Sequence, residues 1–502
     1  MDLYSNLLLG FNTAVTPMNL LYCFGGVLIG TLIGVLPGIG PVQTLAILLP
    51  TTYSLSPISA LIMLAGIYYG AQYGGSTTSI LMNLPGEASS VVTCLDGHQM
   101  ARQGRAGAAL TVAALGSFFA GCVATLMIAV LSIPLADISL KFGPAEYFSV
   151  IVFGLIGSIV LASGSIIKAI GMIVVGLLLG MVGTDVTSGA QRFCFGVSEL
   201  ADGIGFVALA MGLFGISDII SSLEKGEKRD ILKGKLTGFM LSKKEFLTCI
   251  PATLRGTLSG CLLGILPGGG AVLASFSAYM LEKKISKDPE SFGKGNIKGV
   301  AAPESANNAA AQTSFIPLLT LGIPSNVVLA IMAGAMMIHG IQPGPRVITS
   351  NPELFWGVIA SMWIGNLMLI ILNLPLIGIW VRLLSVPYRV LYPAILVFCC
   401  IGLYSVNNNT FDIGLTALLG LLGYIFIKLD CEPAPLILGF VLGPMMEENF
   451  RRCMLLSHGD PSVFFTRPLS LSFLLLSLIM VVAAGLPALK KKREVAFQGD
   501  DL

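Results

Sequence analysis

Four consecutive hydroxyl residues, Ser76, Thr77, Thr78 and Ser79, lie between apolar runs and lead into Asn83-Leu84-Pro85-Gly86-Glu87. A second polar stretch, Pro303-Glu304-Ser305-Ala306-Asn307-Asn308, is followed by Gln312 and by Gly322-Ile323-Pro324-Ser325-Asn326. Hydroxyls and unwound main-chain carbonyls are oxygen donors that suit a small hard cation such as Na+. Asn side chains donate to a carboxylate or accept from a hydroxyl without burying a charge. Free N–H groups at a helix start carry partial positive charge and suit an anion. The chemistry on offer is therefore reversible binding of an ion and a carboxylate. Bond-breaking chemistry is not signalled. His98, His339 and His458 stand far apart, and no His-Glu-x-x-His, Gly-x-Ser-x-Gly or Walker A motif occurs. The expectation is a non-enzyme without a cofactor, whose only metal is a transported Na+, with H+ as the other coupling ion.

The elements that must hold these residues are membrane helices. The 502 residues are 55% hydrophobic and 11% charged, with a mean hydropathy of +0.86. Soluble domains carry about 25% charged residues. Runs at 20–36, 106–134, 145–162, 166–182 and 203–221 approach the ~20 residues that cross a bilayer. No Lys or Arg precedes Arg102, so the first run reads as a retained helix, not a cleaved signal. The ten cysteines are scattered without a Cys-x-x-Cys pair and read as free thiols. A net charge of +2 with basic residues confined to loops argues against nucleic acid. The fold class expected is an all-α polytopic membrane protein of about 12 transmembrane helices, by that per-crossing length.

Each polar stretch adjoins a Pro/Gly break. Lipid offers no partner for the N–H and C=O groups that a break frees. Broken or re-entrant helices belong where they line a cavity, as in transporters. Pro303 reads as a first-turn proline, with Glu304 beside the helix start and Ser305, Asn308 and Gln312 on one face. Arg255 is a candidate partner for an anionic substrate.

The chain also repeats itself. Gly26, Gly30, Gly34, Leu36, Pro37, Gly38 and Gly40 align without a gap to Gly256, Gly260, Gly264, Leu266, Pro267, Gly268 and Gly270. Leu84-Pro85-Gly86 answers Ile323-Pro324-Ser325 less closely. The expected divisions are two sequence-related halves, 1–221 and 246–489, a basic cytoplasmic linker 222–245 and a basic tail 490–502. Corresponding interrupted segments point to a binding site. The candidate substrate and ion residues are Gly38, Gly40, Ser76, Thr77, Thr78, Asn83, Gly268, Gly270, Ser305, Asn307, Asn308, Pro324 and Ser325. The linker and the loop 282–298 are both Lys-rich and so belong on the cytoplasmic side. The segment between them, Phe246 to Leu281, would then enter and leave on one side, with Leu266-Pro267-Gly268-Gly269-Gly270 at the tip of a re-entrant hairpin. Arg451, Arg452 and Arg467 fit that simple charge count poorly.

From about Leu20 to Met446 the chain resembles the large membrane subunit of the tripartite tricarboxylate transporter family (TctA-type). The resemblance rests on 73–87, on Leu266-Pro267-Gly268-Gly269-Gly270-Ala271 running into Ala274–Tyr279, on 282–295, and on 299–310. Ser325 departs from the family pattern, which has Gly there. The resemblance implies a secondary transporter of a bacterial inner membrane, importing citrate or another carboxylate by Na+ or H+ symport. It implies two protein partners, a small four-helix membrane subunit and a periplasmic solute-binding protein, besides the surrounding membrane lipid. The alternatives are an ion channel or a self-sufficient carrier for another small anion.

Overall fold

The computed structural model describes residues 3–36, 40–139, 141–161, 165–185, 188–225, 239–266, 270–383, 393, 396–397, 399–401, 403–404 and 408–485. Gly38 and Gly268, residues 226–238 of the linker and the tail 490–502 lie outside the described residues.

The chain is helical almost throughout. In order come α1 (Leu3–Ala14), α2 (Pro17–Val35), α3 (Pro41–Leu48), α4 (Pro57–Met82), α5 (Ala106–Ser139), α6 (Pro144–Leu161) and α7 (Ile166–Gly180). Then follow α8 (Lys243–Ile265), α9 (Gly270–Ile285), α10 (Lys298–Thr313), α11 (Phe315–Leu321) and α12 (Val327–Ile338). The chain closes with α13 (Pro352–Asn373), α14 (Thr410–Lys428), α15 (Pro433–Leu456) and α16 (Pro468–Gly485). A π-helical turn, Cys94–His98, lies in the connector before α5. Between α7 and α8 sit a two-residue antiparallel hairpin, β1 (Gly183–Thr184) and β2 (Gln191–Arg192), and a helix that runs through a second π-helical stretch, Met211–Ile216. Five helices, α2, α5, α8, α13 and α14, are long and apolar enough to cross a membrane, and five shorter apolar helices accompany them. That makes the chain a multi-pass membrane protein.

Two glycine ridges set the central packing. A Cβ on Gly26, Gly30 or Gly34 would lie 2.3–2.4 Å from the carbonyl oxygens of Met63, Ile67 and Ala71. On Gly256 and Gly260 it would lie 2.3 Å from those of Ala302 and Ala306. No side chain fits at such distances, so α2 lies backbone-to-backbone on α4, and α8 on α10. The contacting positions advance in the same direction along both partners, which makes each pair parallel. Helices α8 and α9 instead form an antiparallel hairpin. Arg255 and Glu282 pair across it, and the two helices meet again at Ile265 and Gly270. The chain thus enters and leaves this hairpin at one end, as its two basic flanks lead one to expect. Arg255 is taken up by Glu282 and is not a spare cation.

Helices α4 and α10–α11 cross antiparallel, with Ser76 meeting Glu304 and Tyr68 packing on Phe315 at 6.4 Å between ring centroids. Each ends in a left-handed residue, Asn83 at φ 58° and Gly322 at φ 76°. Asn and Gly are the residues that accept this conformation. Each end is followed by a proline, which cannot continue a helix.

Pro303 does not start its helix. Helix α10 begins at Lys298, so Pro303 lies inside it and Glu304 is interior rather than a first-turn acid. Residues 298–302 are compatible with a helix, and a proline past the first turn removes one intrahelical bond. The arginines that resisted the charge count are all ion-paired. Arg451 meets Asp185 and Glu447, Arg452 meets Glu448, and Arg467 meets Glu146. Arg192 closes a four-member network with Asp185 and Glu447.

Candidate functional site

Helix α10 is the centre of the molecule, and every residue from Gly299 to Thr313 is buried. Its sequence, rich in Ala with Ser, Asn, Glu and Gln, lets other backbones approach while it holds polar groups inside. One side carries Ala302 and Ala306 against the ridge of α8. The side facing α4 and the 83–98 connector carries Glu304 and Asn307. The side facing α5 carries Ser305, Asn308 and Gln312.

On the α4 side, Glu304 is fully buried. Ser76 donates to its Oε2 at 2.5 Å and Thr93 donates to its Oε1. Close by, Glu87 accepts from Ser89 and from Asn307 Nδ2 at 3.1 Å. Ser89 also reaches Asn307 Oδ1 at 2.8 Å. With its amide nitrogen turned to the carboxylate, Gln72 lies 2.5 and 3.0 Å from the two oxygens of Glu87. Among the described residues no Lys or Arg pairs with either glutamate. A charged carboxylate removed from water without a counter-charge is far more costly than a neutral one. Glu304 is the fully buried member and Glu87 the part-buried one, and the hydroxyls and amides around them can hydrogen-bond a carboxyl in either charge state.

On the α5 side the groups are neutral. Asn308 Nδ2 donates to Ser117 Oγ at 2.7 Å, and Thr125 donates to Gln312 Oε1 at 2.5 Å. Ser305 packs against Gly116. The three residues expected on one helical face are on one face.

A third constellation fastens the basic loop. Asp96, fully buried in the π-helical turn, accepts from the backbone N–H groups of Gly293, Gly295 and Asn296 at 3.0, 2.8 and 2.7 Å. Tyr279 donates to its other oxygen at 2.9 Å. Gly293 and Gly295 have φ of +82° and +97°, conformations that let the loop curl its amides round one carboxylate.

The sequence candidates divide accordingly. Ser76 and Asn307 join the carboxylate pair, and Ser305 and Asn308 join the neutral cluster. Thr77 reaches only the carbonyl of Tyr73 in its own helix, at 3.5 Å. Thr78 donates to the carbonyl of Val35 at 2.7 Å and so fastens the end of α2. Asn83 is an exposed helix end. Gly40 starts α3, where its N–H donates to Gln43 at 3.0 Å. Gly270, at φ +48°, starts α9 beside Asn326. Pro324 is buried, and Ser325 donates to the carbonyl of Ser314 at 3.3 Å. Sequence reading passed over Glu87, Thr93, Gln72 and Asp96. Glu87 directly follows a Pro-Gly break, and that placement was its signal.

A family profile described as tripartite tricarboxylate transporter TctA family matches residues 20–438. The chain is 60% identical over 501 residues, the whole of both chains, to an uncharacterized 52.8 kDa protein in the TAR-I ttuC' 3'region of Agrobacterium vitis. It is 61% identical over 242 residues to an uncharacterized protein in the TAR-II ttuC' 3'region of the same organism, covering 48% of this chain and all of that one. No solved structure matches it significantly. The profile covers most of the described helices, including all three constellations around α10, and the chain belongs to the tripartite tricarboxylate transporter TctA family, a family of membrane transporters in which it is the large subunit.

Proposed function

We propose that this chain is the permease of a binding-protein-dependent secondary transporter of a bacterial inner membrane. It imports a citrate-like carboxylate by symport with Na+ or H+. Its partners are a small four-helix membrane subunit and a periplasmic solute-binding protein. The observation that carries the coupling is Glu304, fully buried, held by two hydroxyls, beside Glu87, and without a basic partner among the described residues. Taking up one cation at Glu304 neutralises that carboxylate, and losing it restores a charge that the interior resists. A substrate carboxylate finds its complement at the starts of α9 and α12. Gly270 and the capping residue Asn326 meet there, with the Tyr68 hydroxyl 3.4 Å from Asn326 Nδ2. The two ridges, the two left-handed helix ends and the antiparallel crossing of α4 with α10–α11 support two halves of opposite orientation.

The test is uptake of radiolabelled citrate into vesicles holding the chain with both partners. Accumulation should require an inward Na+ or proton gradient, and Glu304→Gln should lower it at least about tenfold. Undiminished accumulation in Glu304→Gln, or without any gradient, sinks the reading.

A further inference from the structure

The segment just beyond β2 presents aromatic rings outward. Phe193 and Phe195 are 47% and 86% exposed, while Cys194 between them is buried. Both phenylalanines have left-handed backbones, at φ 53° and 51°. A bulky residue in that region is a genuine outlier, and it persists only where the surroundings hold it in place.

Those surroundings are stiff. Arg192 meets Asp185 at 2.7 Å and Glu447 at 3.0 Å. Arg451 meets the same two acids at 3.1 and 2.7 Å. The Thr184 N–H donates to the carbonyl of Ala201 at 2.8 Å, and the Cys194 thiol reaches the carbonyl of Leu200 at 3.4 Å. The hairpin and the turn after it thus form one knob, pinned to α15. Binding residues are commonly carried in this way, on a loop that a rigid scaffold positions, and a preorganised loop loses little freedom when a partner binds.

The knob stands at the opposite end of α5 from the basic loop. Gln103, just before α5, donates to the carbonyl of Lys294 in that loop at 2.8 Å. Helix α5 then runs for 34 residues, about 50 Å at 1.5 Å per residue. It leads into α6, whose Phe148 packs on Phe450 of α15 at 5.5 Å between ring centroids. Phe450 directly precedes Arg451, which pins the knob.

Charge decides what the knob meets. Glu199 and Asp202, in the turn after Phe195, are exposed. Among the described residues neither pairs with Lys or Arg. An anionic lipid leaflet repels such acids. A second copy of the chain in a two-fold contact would bring acids against acids. A different protein, with an apolar hollow rimmed by Lys and Arg, matches both the rings and the acids.

We propose that Phe195, with Phe193, is the anchor on which the periplasmic solute-binding protein docks, and that Glu199 and Asp202 steer it there. This rests on the reading of the chain as a binding-protein-dependent importer with its basic loop in the cytoplasm. The knob supplies no residue to the three constellations around α10, so docking and ion binding are separable.

The experiment uses vesicles holding the full chain with the small membrane subunit, added solute-binding protein and radiolabelled citrate. Phe195→Asn removes the ring and keeps a residue that accepts the left-handed backbone. It should raise the binding-protein concentration for half-maximal uptake at least about tenfold, with the maximal rate within about twofold of wild type. Glu199→Lys combined with Asp202→Lys should slow association of fluorescent binding protein with the vesicles, and high salt should slow wild-type association. Wild-type dependence on the binding protein in both variants would leave Phe195 to lipid or to a second copy and overturn the proposal. A loss of maximal rate in Phe195→Asn at an unchanged half-maximal concentration would make the ring structural and overturn it too. Saturable uptake by the wild type that is unchanged when the binding protein is left out would instead overturn the tripartite reading itself.

Discussion

Ser76 and Thr77 are neighbours with similar side chains, yet the antiparallel crossing gives only Ser76 to Glu304. Ser76→Ala should raise the ion concentration needed for half-maximal uptake about tenfold or more, since one hydrogen bond to a charged group contributes about 1.5–3 kcal/mol. Thr77→Val should leave ion and substrate dependence near wild type in the same assay. Asp96 supports a prediction that does not depend on substrate. Asp96→Ala strips three backbone donors of their acceptor, at about 1–3 kcal/mol each, and the loop 286–298 should open. Trypsin added to inside-out vesicles should then cut at Lys287 or Lys294 many times faster than in wild type. Equal cleavage rates would mean that the loop is held by something else. At this scale the sequence showed which polar residues sit among apolar ones. It did not show their partners, because Thr93 meets Glu304 across 211 positions and only the helix crossing brings them together.

The glycine ridges were legible as elements. Glycines four apart make a smooth face whatever packs on it, but the partner was not legible, because Met63, Ile67 and Ala71 share no motif with Ala302 and Ala306. Pro303 shows the converse, since a rule for helix starts gave way to a helix enclosed on every side. Gly30→Val and Gly260→Val place carbons within 2.4 Å of a backbone oxygen. Overpacking of this kind costs typically 1–3 kcal/mol or more, and here the obstacle is main chain that cannot rotate away. Both variants should lose citrate uptake and show a lowered melting temperature in detergent. Gly171→Ala and Gly414→Ala, where nothing lies within 4 Å of the added carbon, should match wild type in both measurements.

For the whole molecule, the arginines that fitted the charge count poorly are the ones that pair with acids. Arg451 and Arg467 are neutralised by acids distant in sequence, so they carry little weight in setting orientation. Three successive crossings along α5, α6 and α7 would put the β1–β2 hairpin opposite the basic loop. Single cysteines replacing Phe195, 86% exposed beyond β2, and Lys287 should be labelled by an impermeant thiol reagent from opposite faces of the membrane. Labelling from one face would break this arrangement.

The buried character of α10 also bears on how the protein is made. Its sixteen residues contain no Leu, Ile or Phe and present Glu304, Ser305, Asn307, Asn308 and Gln312. Amides and a carboxyl weigh heavily against partition into hydrocarbon. A nascent chain ending at Thr313 has therefore no reason to leave α10 in lipid by itself. Its insertion should rely on segments already synthesised, α5, whose Ser117 meets Asn308, and α8 with its glycine ridge, to cover it. The order in which the ribosome delivers these helices is thus also the order in which the interior becomes habitable for the ones that follow.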